Sequence, residues 1–341
     1  MIHETVAQYK LSEAEVDGIR EEAARLAAST FPDPADPAAY DLNRFADAGL
    51  PPGLKAFLEE FRRTEPAAGL LIHGFPVDDR AVGPTPDHWD RAAEPAATKE
   101  QELFLAMCAT ALGDPFTWST LQLGRMIQNI LPIRGDEERQ SGHSSTNLLE
   151  FHTEDGFHPG RCDYLLLFGV RNHDQAPTIL ASVRDVKLSA EDLDVLMSPV
   201  FHILPDDEHI RQLAMRYPDH PALTRVTDMR DRPDAVPVLF GNPERPYLRV
   251  DLPFMRCAAD RPDAERALRA LMAELERVQL SVVVEPGSLL IVDNYLAVHG
   301  RKPFPARYDG SDRWLKRMVV SRDLRKAAPV SEMSGGGRVL F

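Results

Sequence analysis

Three residues that lie far apart in the chain have the types and spacing of a metal site. His152 and Glu154 are two positions apart, so on an extended strand both side chains leave the same face and can bind one ion together. His299 follows another apolar segment far downstream. If His299 folds back beside the pair, two histidines and one carboxylate form a facial triad with open positions, the arrangement suited to non-haem Fe(II) oxygenases.

The open positions of such a triad indicate what else the site would bind. A facial triad leaves about three of six octahedral positions free, so an α-keto acid could chelate two of them and dioxygen the third. A strand arginine would then bind the far carboxylate of the keto acid in a bidentate manner. Arg313 and Arg317 lie on an apolar segment soon after His299 and are the candidates. The alternative is that they form an ordinary exposed pair on a strand.

A non-catalytic protein is a second interpretation of the same three residues, in which they bind a small ligand or a structural zinc. Structural zinc usually takes a closed site of four ligands that is rich in Cys or His. Cys108, Cys162 and Cys257 are widely separated and share no CxxC spacing, which argues against a zinc knuckle and against a disulfide framework. No fourth ligand is evident, so the sequence favours the enzyme.

Composition narrows the class of protein further. The 341 residues are 43% hydrophobic, enough for a sizeable core, and carry a net charge of −14, which disfavours a general nucleic-acid binder. No run of about 18 apolar residues predicts a membrane helix. Residues 1–5 are neither basic nor apolar, so we find no secretory signal and expect a cytoplasmic protein.

The pattern of apolar residues predicts the elements that position the candidate ligands. Helices are predicted at 12–30, around Leu54 to Phe61, and at 102–112, 189–196 and 263–278. Strands are predicted at 69–75, 126–132, 164–170, 178–183, 238–240, 247–250, 281–284, 289–292 and 314–321, and those at 281–284 and 289–292 flank a Pro-Gly turn as a pair. These elements predict a mostly β fold with helical additions, either a β-sandwich or a jelly roll, of which we expect the jelly roll (double-stranded β-helix). We expect one catalytic domain over 1–341, with helices to about residue 68 and the jelly-roll core from 69 to 325.

Three segments lack these patterns. The charged segment 206–237 is interrupted by prolines and reads as irregular, either a functional lid or a disordered insert. The polar loop 134–145 immediately precedes the His152 motif and is a candidate to hold substrate. The Gly-rich end after residue 321 is expected to fray. Among the other histidines, His143 and His209 are expected in polar loops or at strand edges, and His158 is expected to help pack the site.

Two longer motifs resemble a known family. Residues 150–172 are similar to the clavaminate synthase-like branch of the Fe(II)/2-oxoglutarate dioxygenases, and within it to the β-hydroxylases of arginine and related guanidino amino acids, with asparagine oxygenases close behind. A second match covers 292–301 and continues through 306–317, and a weaker third covers 83–89. The resemblance spans about residues 70 to 325.

The resemblance implies a role for each matching residue. His152, Glu154 and His299 would be the iron ligands. Arg313 would bind the distal carboxylate of 2-oxoglutarate, and Arg317 would lie nearby and hold the cosubstrate or the substrate carboxylate.

The resemblance also implies substrate contacts. Gln122 matches a glutamine that contacts the backbone groups of the amino acid, Glu154 would touch its α-ammonium, and Asp251 matches an acid that meets a cationic side chain; as the alternative, Asp251 is a turn residue. The second acid of the family pattern is Pro253 here, which leaves room for a cyclised or shortened guanidino relative of arginine. Asp228 or Asp231 in the predicted lid could assist.

The implied reaction is hydroxylation of a free L-amino acid, most simply at Cβ of arginine or of a relative such as enduracididine, in specialised-metabolite biosynthesis. Iron(II), 2-oxoglutarate and dioxygen would take part, and no nucleic acid or membrane partner is expected. The alternative within the same class is a desaturase or cyclase, because a small shift of the target carbon changes the outcome.

Overall fold

The computed structural model describes residues 4–28, 33–40, 45, 49–91, 95–327, 333–334 and 338–341. Its strands are β1 Val6–Lys10, β2 Gly69–His73, β3 Asp114–Trp118, β4 Gln128–Ile130, β5 Leu149–His152, β6 Tyr164–Arg171, β7 Thr178–Ser182, β8 Phe201–Ile203, β9 Ala235–Val236, β10 Leu239–Asn242, β11 Arg245–Leu248, β12 Met255–Cys257, β13 Leu280–Val282, β14 Leu289–Asp293, β15 Ala297–Arg301, β16 Trp314–Ser321, β17 Met333–Ser334 and β18 Val339–Leu340. Its α-helices are α1 Glu13–Ala28, α2 Pro52–Thr64, α3 Lys99–Leu112, α4 Ala190–Leu196, α5 Asp207–Arg216, α6 Pro221–Asp231 and α7 Pro262–Val278.

The fold is mostly sheet with helices. The largest sheet has nine strands in the order β1-β2-β14-β6-β16-β3-β18-β17, with β4 also paired to β16. A second sheet has the order β13-β7-β15-β5 and carries the two candidate histidines. Strands β12-β8-β9 and the hairpin β10-β11 are smaller additions. Within the described ranges, no helix is both long and apolar enough to cross a membrane.

The nine-stranded sheet has a hydrophobic core on each face. Along β6, Leu165 and Leu167 join a core that also holds Leu180 of the four-stranded sheet. The alternating residues Leu166 and Phe168 join the core formed with helices α1 to α3. Side chains on a strand alternate between faces, so a continuous apolar strand such as β6 belongs between two covered faces.

The N-terminal helix begins where the sequence predicts. The backbone N–H of Glu15 donates to Ser12 Oγ at 3.3 Å, and the Ser12 N–H donates to the Glu15 carboxylate at 2.9 Å, which is a reciprocal capping box. Helix α1 ends at Ala28, and the last two residues of the predicted range, 29 and 30, lie outside the described residues.

The prediction that 206–237 is irregular is wrong, because most of this segment is helical. Asp206 caps α5 by accepting from the N–H groups of Glu208 and His209, and His220 caps α6 through its ring. Pro221 is the first residue of α6, where a missing N–H costs nothing. The prolines that suggested irregular structure therefore begin or separate helices.

The predicted pairing of 281–284 with 289–292 is also wrong. Strand β13 pairs with β7, whereas β14 pairs with β2 and β6 in the other sheet. Gly287 in the intervening turn accepts a hydrogen bond from the Phe75 N–H at 3.1 Å and donates to the Gly169 carbonyl at 2.8 Å. The turn therefore passes the chain from one sheet to the next instead of closing a hairpin.

The expected fraying of the C-terminal end is wrong for its last described residues. Val339–Leu340 forms a strand that runs parallel to β3, and Phe341 is buried with its ring centroid 5.1 Å from that of Trp118.

Candidate active site

Strand pairing brings the two histidines together. His299 of β15 lies directly opposite His152 of β5 in the antiparallel ladder, and their ring centroids are 4.2 Å apart. A Cβ on Gly300 would lie 2.3 Å from the Leu149 carbonyl oxygen, so only glycine lets the two strands approach this closely.

Glu154 reaches the histidines from a turn, because strand β5 ends at His152. Asn294 fixes this turn: its side-chain oxygen accepts from the Glu154 N–H at 2.7 Å, and its amide donates to the Glu154 carbonyl at 3.0 Å. The sequence predicted that His152 and Glu154 lie on one extended strand, but only His152 lies on β5, and Glu154 lies in the turn that follows. The turn-forming Asp293-Asn294 sequence supplies the support that holds the carboxylate in place.

The three side chains present a donor set that fits iron(II). One nitrogen or oxygen atom from each of His152, Glu154 and His299 lies within 4.8 Å of the other two, and elsewhere in the described chain no other trio of His, Cys, Asp or Glu comes this close. His152 Nδ1 donates to the Glu150 carbonyl at 2.9 Å, which leaves Nε2 free as a ligand. Two imidazoles and a carboxylate on one side of a cavity leave space for further ligands.

The charges in this cluster also suit a cation. Burial, together with His299, lowers the pKa of His152 to about 4, so its ring is neutral at pH 7. Burial alone would raise the pKa of Glu154, but Arg317 and the two histidines hold it well below its usual range. Neutral imidazoles and an ionised carboxylate are the forms that bind metals.

The two predicted arginines are buried and differ in their partners. Arg317 donates to the Glu154 carboxylate and to Gln128 Oε1, each at 2.5 Å. Arg313 has no carboxylate within 4 Å among the described residues, and its Nη2 donates to Thr178 Oγ1 at 3.4 Å. Burial, followed by repulsion from Arg301, lowers the pKa of Arg313 to about 9. A buried guanidinium with an unpartnered Nε fits the distal carboxylate of 2-oxoglutarate.

Asp251 lines the cavity into which the candidate ligands His152, Glu154 and His299 also face. Thr153 N–H donates to the Val250 carbonyl at 2.7 Å, and His152 and Asp251 form an isolated antiparallel bridge. The Asp251 side chain is buried and makes no capping hydrogen bond to the short helical turn that follows it. Burial, and then the nearby Asp206, raises its pKa well above the usual range. A cation beside it would relieve that unfavourable burial.

Gln122 lines the cavity with its side-chain amide already in use. Its Nε2 donates to the Asn129 carbonyl at 2.8 Å, and its Oε1 accepts from the Asn129 N–H at 2.9 Å. The amide therefore pairs with a strand backbone, and it keeps one N–H and one lone pair for other contacts.

The lid acids named from the sequence are not in the cavity. Asp228 pairs with Arg232 and Asp231 with Arg230, and all four side chains are exposed. Instead Asp206 and Glu208, at the start of α5, line the cavity. Burial raises the pKa of Asp206 to about 6, although His209 opposes the shift. A signal for this was present in the sequence, because Asp206 precedes acidic residues typical of a first helical turn.

Two histidines that the sequence assigned to loops or edges are buried. His143 lines the cavity, and His209 of α5 donates or accepts through both ring nitrogens, to Asp155 at 2.9 Å and to Thr120 at 2.6 Å. The buried position of His209 becomes evident only when helix α5 packs against the turn that follows Glu154. Thr178, too, has no signal in the sequence that separates it from other strand threonines.

This fold and this cluster define a non-haem iron oxygenase. The family described as taurine catabolism dioxygenase TauD, TfdA family matches residues 128–319, which include all three candidate ligands and both arginines. The chain belongs to that family and is an Fe(II)/2-oxoglutarate-dependent dioxygenase. This result excludes the non-catalytic interpretation of the site.

Its relatives are amino-acid oxygenases. The chain is 38% identical over 310 residues to the L-ornithine/L-arginine 3-hydroxylase of Catenulispora acidiphila, covering 87% of this chain and 90% of the relative. It is 38% identical over 303 residues to the enduracididine beta-hydroxylase of Streptomyces hygroscopicus, covering 86% and 87%. Among solved structures, the non-haem iron oxygenase OrfP in complex with Fe, succinate and (3S)-hydroxy-L-Arg matches with a TM-score of 0.90 at 39% identity, covering 98% of this chain and 99% of the other.

Proposed function

We propose that this protein hydroxylates Cβ of a free L-amino acid with a guanidino side chain, either arginine or a related cyclic amino acid such as enduracididine. The observation that carries the proposal is the buried Asp251 carboxylate. It lies in the same cavity as His152, Glu154 and His299 and makes no hydrogen bond to cap the helical turn that follows it. Relatives that act on ornithine, arginine and enduracididine support the same class of substrate. The enduracididine relative also supports a place in specialised metabolism.

The chain's own residues would position the reactants. His152, Glu154 and His299 hold iron(II), and Arg313 with Thr178 binds the distal carboxylate of 2-oxoglutarate. When bound, iron and 2-oxoglutarate supply the oxidation, in which dioxygen is consumed, succinate and carbon dioxide are released, and one oxygen atom is inserted into a C–H bond. The protein contributes orientation and exclusion of water.

The amino acid would be held at both ends. Arg317, which bridges Gln128 and Glu154, binds its carboxylate, and Glu154 contacts its α-ammonium. At the other end Asp251 pairs with the guanidinium, and Asp206 adds negative charge. Glu208 and Gln212 of helix α5 line the cavity, so we propose that 206–237 is a helical lid. The core shared by the nine- and four-stranded sheets supports a jelly-roll core for the whole site.

The test is turnover with a defined panel of amino acids. The protein is loaded anaerobically with Fe(II) and 2-oxoglutarate, mixed with an amino acid, and then exposed to oxygen. We expect succinate formation to be stimulated by arginine or enduracididine far more than by asparagine or leucine. Equal rates for the parent and for the His152→Ala and His299→Ala variants would refute the assignment of the iron ligands.

A further inference from the structure

The wall of the cavity contains a histidine that the proposed mechanism does not use. His143 is only 4% exposed and lines the cavity from the loop before β5. Its backbone is fully engaged, since its N–H donates to Ser141 Oγ at 3.3 Å and its carbonyl accepts from Ile133 at 3.1 Å. Its ring is therefore the part of the residue that remains available to a ligand.

A hydrogen bond to the backbone fixes the tautomer of this ring. His143 Nδ1 lies 3.0 Å from the Leu131 carbonyl oxygen, which can only accept, so Nδ1 carries the proton. Burial lowers the pKa of His143 and keeps the ring neutral, against the opposing effect of nearby Glu208 and Asp136. In a neutral ring with a proton on Nδ1, Nε2 is a hydrogen-bond acceptor.

Both neighbouring carboxylates already have partners. Arg211 donates to Glu208 and to Asp136, each at 2.8 Å, and Gln212 donates to Glu208 at 2.9 Å. By contrast, the hydrogen bonds described for the His143 ring use Nδ1 only. Nε2 of the His143 ring is therefore an acceptor that this part of the wall can offer to a bound molecule.

The contact of the His143 ring with Leu131, the residue after β4, relates His143 to the side-chain end of the substrate. Gln128, at the start of β4, contacts Arg317 next to Glu154. Leu131, which binds the His143 ring, is three residues further on, or roughly 10 Å along an extended chain. That distance separates His143 from the end of the cavity where the α-carbon groups would be held.

We propose that His143 is a specificity-determining residue whose Nε2 accepts a hydrogen bond from an N–H group on the side chain of the bound amino acid. This inference rests on the proposed function and deepens it. Asp251 selects for positive charge, whereas His143 selects for an N–H donor at a defined place. An alkyl side chain of equal length would leave this buried acceptor unpaired, which is a strong basis for discrimination.

Substitutions at position 143 separate the two nitrogens of the ring. In His143→Asn the amide still reaches the Leu131 carbonyl but lacks an acceptor at the Nε2 position, whereas the longer side chain of His143→Gln can supply one. His143→Gln and His143→Leu form a second matched pair, because the two side chains are similar in size and only Gln carries an acceptor. Dissociation constants for arginine and for 2-oxoglutarate are measured by anaerobic calorimetry on the Fe(II)-loaded proteins.

We expect His143→Asn and His143→Leu each to weaken arginine binding by about 10-fold or more. The dissociation constant of His143→Gln for arginine should stay within roughly threefold of that of the parent. The dissociation constant for 2-oxoglutarate should stay within about twofold of the parent value in all three variants. The inference is overturned if Asn and Leu bind arginine as the parent does, if Gln is as weak as Leu, or if 2-oxoglutarate binding falls equally. If instead the parent protein binds arginine no better than leucine, the proposed substrate class itself has failed.

Discussion

Asp251 is a buried acid beside His152, one of the proposed metal ligands, and one backbone contact places it there. The bridge between Asp251 and His152 brings the segment that follows β11 against the end of β5, where the proposed ligand His152 lies. A carboxylate in such a place is unfavourable unless a cation joins it. Substrate charge and protein stability are therefore linked at this residue.

Replacing Asp251 with Asn keeps the size of the side chain and removes its charge. We expect kcat/KM for arginine to fall about 10- to 100-fold, because a charge-assisted hydrogen bond to the guanidinium is lost. Steady-state turnover of arginine and of a neutral amino acid checks this, with Asp231→Asn as the matched control on the exposed surface of α6. Equal losses for the charged and neutral substrates would contradict the role of Asp251.

Binding of arginine should also depend on pH near the pKa of Asp206. Because burial raises this pKa to about 6, the carboxylate is protonated below that pH and ionised above it. The ionised form attracts the guanidinium, so affinity is present above pH 6 and decreases by up to about tenfold per unit below it. Calorimetry between pH 5 and 8 measures the profile, which Asp206→Asn should flatten while keeping the helix cap. The same affinity at pH 5 and pH 7 would contradict this expectation.

Helix α5 is attached to the site at three places. His209 contacts Asp155, the residue after the proposed metal ligand Glu154, with both side chains almost fully buried. Arg211 reaches Asp136 in the loop before β5, and the Gln212 side chain accepts from the Gln122 N–H at 2.8 Å. Helix α5, which belongs to the proposed lid, is thus joined by direct contacts to the turn that carries Glu154 and to the cavity wall.

Replacing His209 with Leu breaks the contacts with Asp155 and Thr120 and should loosen this lid. We expect 2-oxoglutarate to be consumed without hydroxylation, so that the ratio of succinate to hydroxylated amino acid rises roughly twofold or more. Quantifying both products checks it, with Arg232→Ala, which removes an exposed ion pair on α6, as the control. If the ratio stays the same in His209→Leu and the parent, helix α5 does not control the reaction through this contact.

The elements of the sequence that were predictable are those with strong local signals. The apolar run of β6, the capping box of α1 and the His152 and His299 segments are all evident from neighbouring residues. Helix α5 was missed because the prolines on either side of it outweighed the cap signal of Asp206, and its docking depends on His209, which contacts residues far away in sequence. The positions of Thr178 and His143 at the cavity likewise depend on contacts between distant segments, which local periodicity does not specify.

At the scale of the whole molecule, the chain crosses between two sheets at Gly287. This residue has a φ of +80°, and an added Cβ would lie 1.9 Å from the Phe75 carbonyl oxygen. Both facts require glycine at this position. The crossing puts β14 in the large sheet, whereas the next strand, β15, carries His299 in the small sheet.

Gly287→Ala should therefore destabilise the fold as a whole. We expect the free energy of unfolding to fall by about 3 kcal/mol or more, because the strained φ and the clash with a backbone atom add together. Gly83→Ala is the matched control, since Gly83 also has a positive φ, of +70°, but has no atom within 4 Å of the added Cβ. Denaturant unfolding of both variants gives the comparison, and equal losses would show that the clash is relieved elsewhere.

The central claim is that the four-stranded sheet carries an iron site for hydroxylating a guanidino amino acid. Isotopically labelled oxygen tests this claim most directly. The Fe(II)-loaded protein is supplied with 2-oxoglutarate, arginine and ¹⁸O₂, and the masses of succinate and of the arginine product are measured by mass spectrometry. Our account predicts one labelled oxygen atom in succinate and one in the hydroxylated arginine, in equal amounts. Two results would contradict it: an arginine product that has lost two hydrogens and gained no label, or succinate formation from 2-oxoglutarate that neither arginine nor enduracididine stimulates.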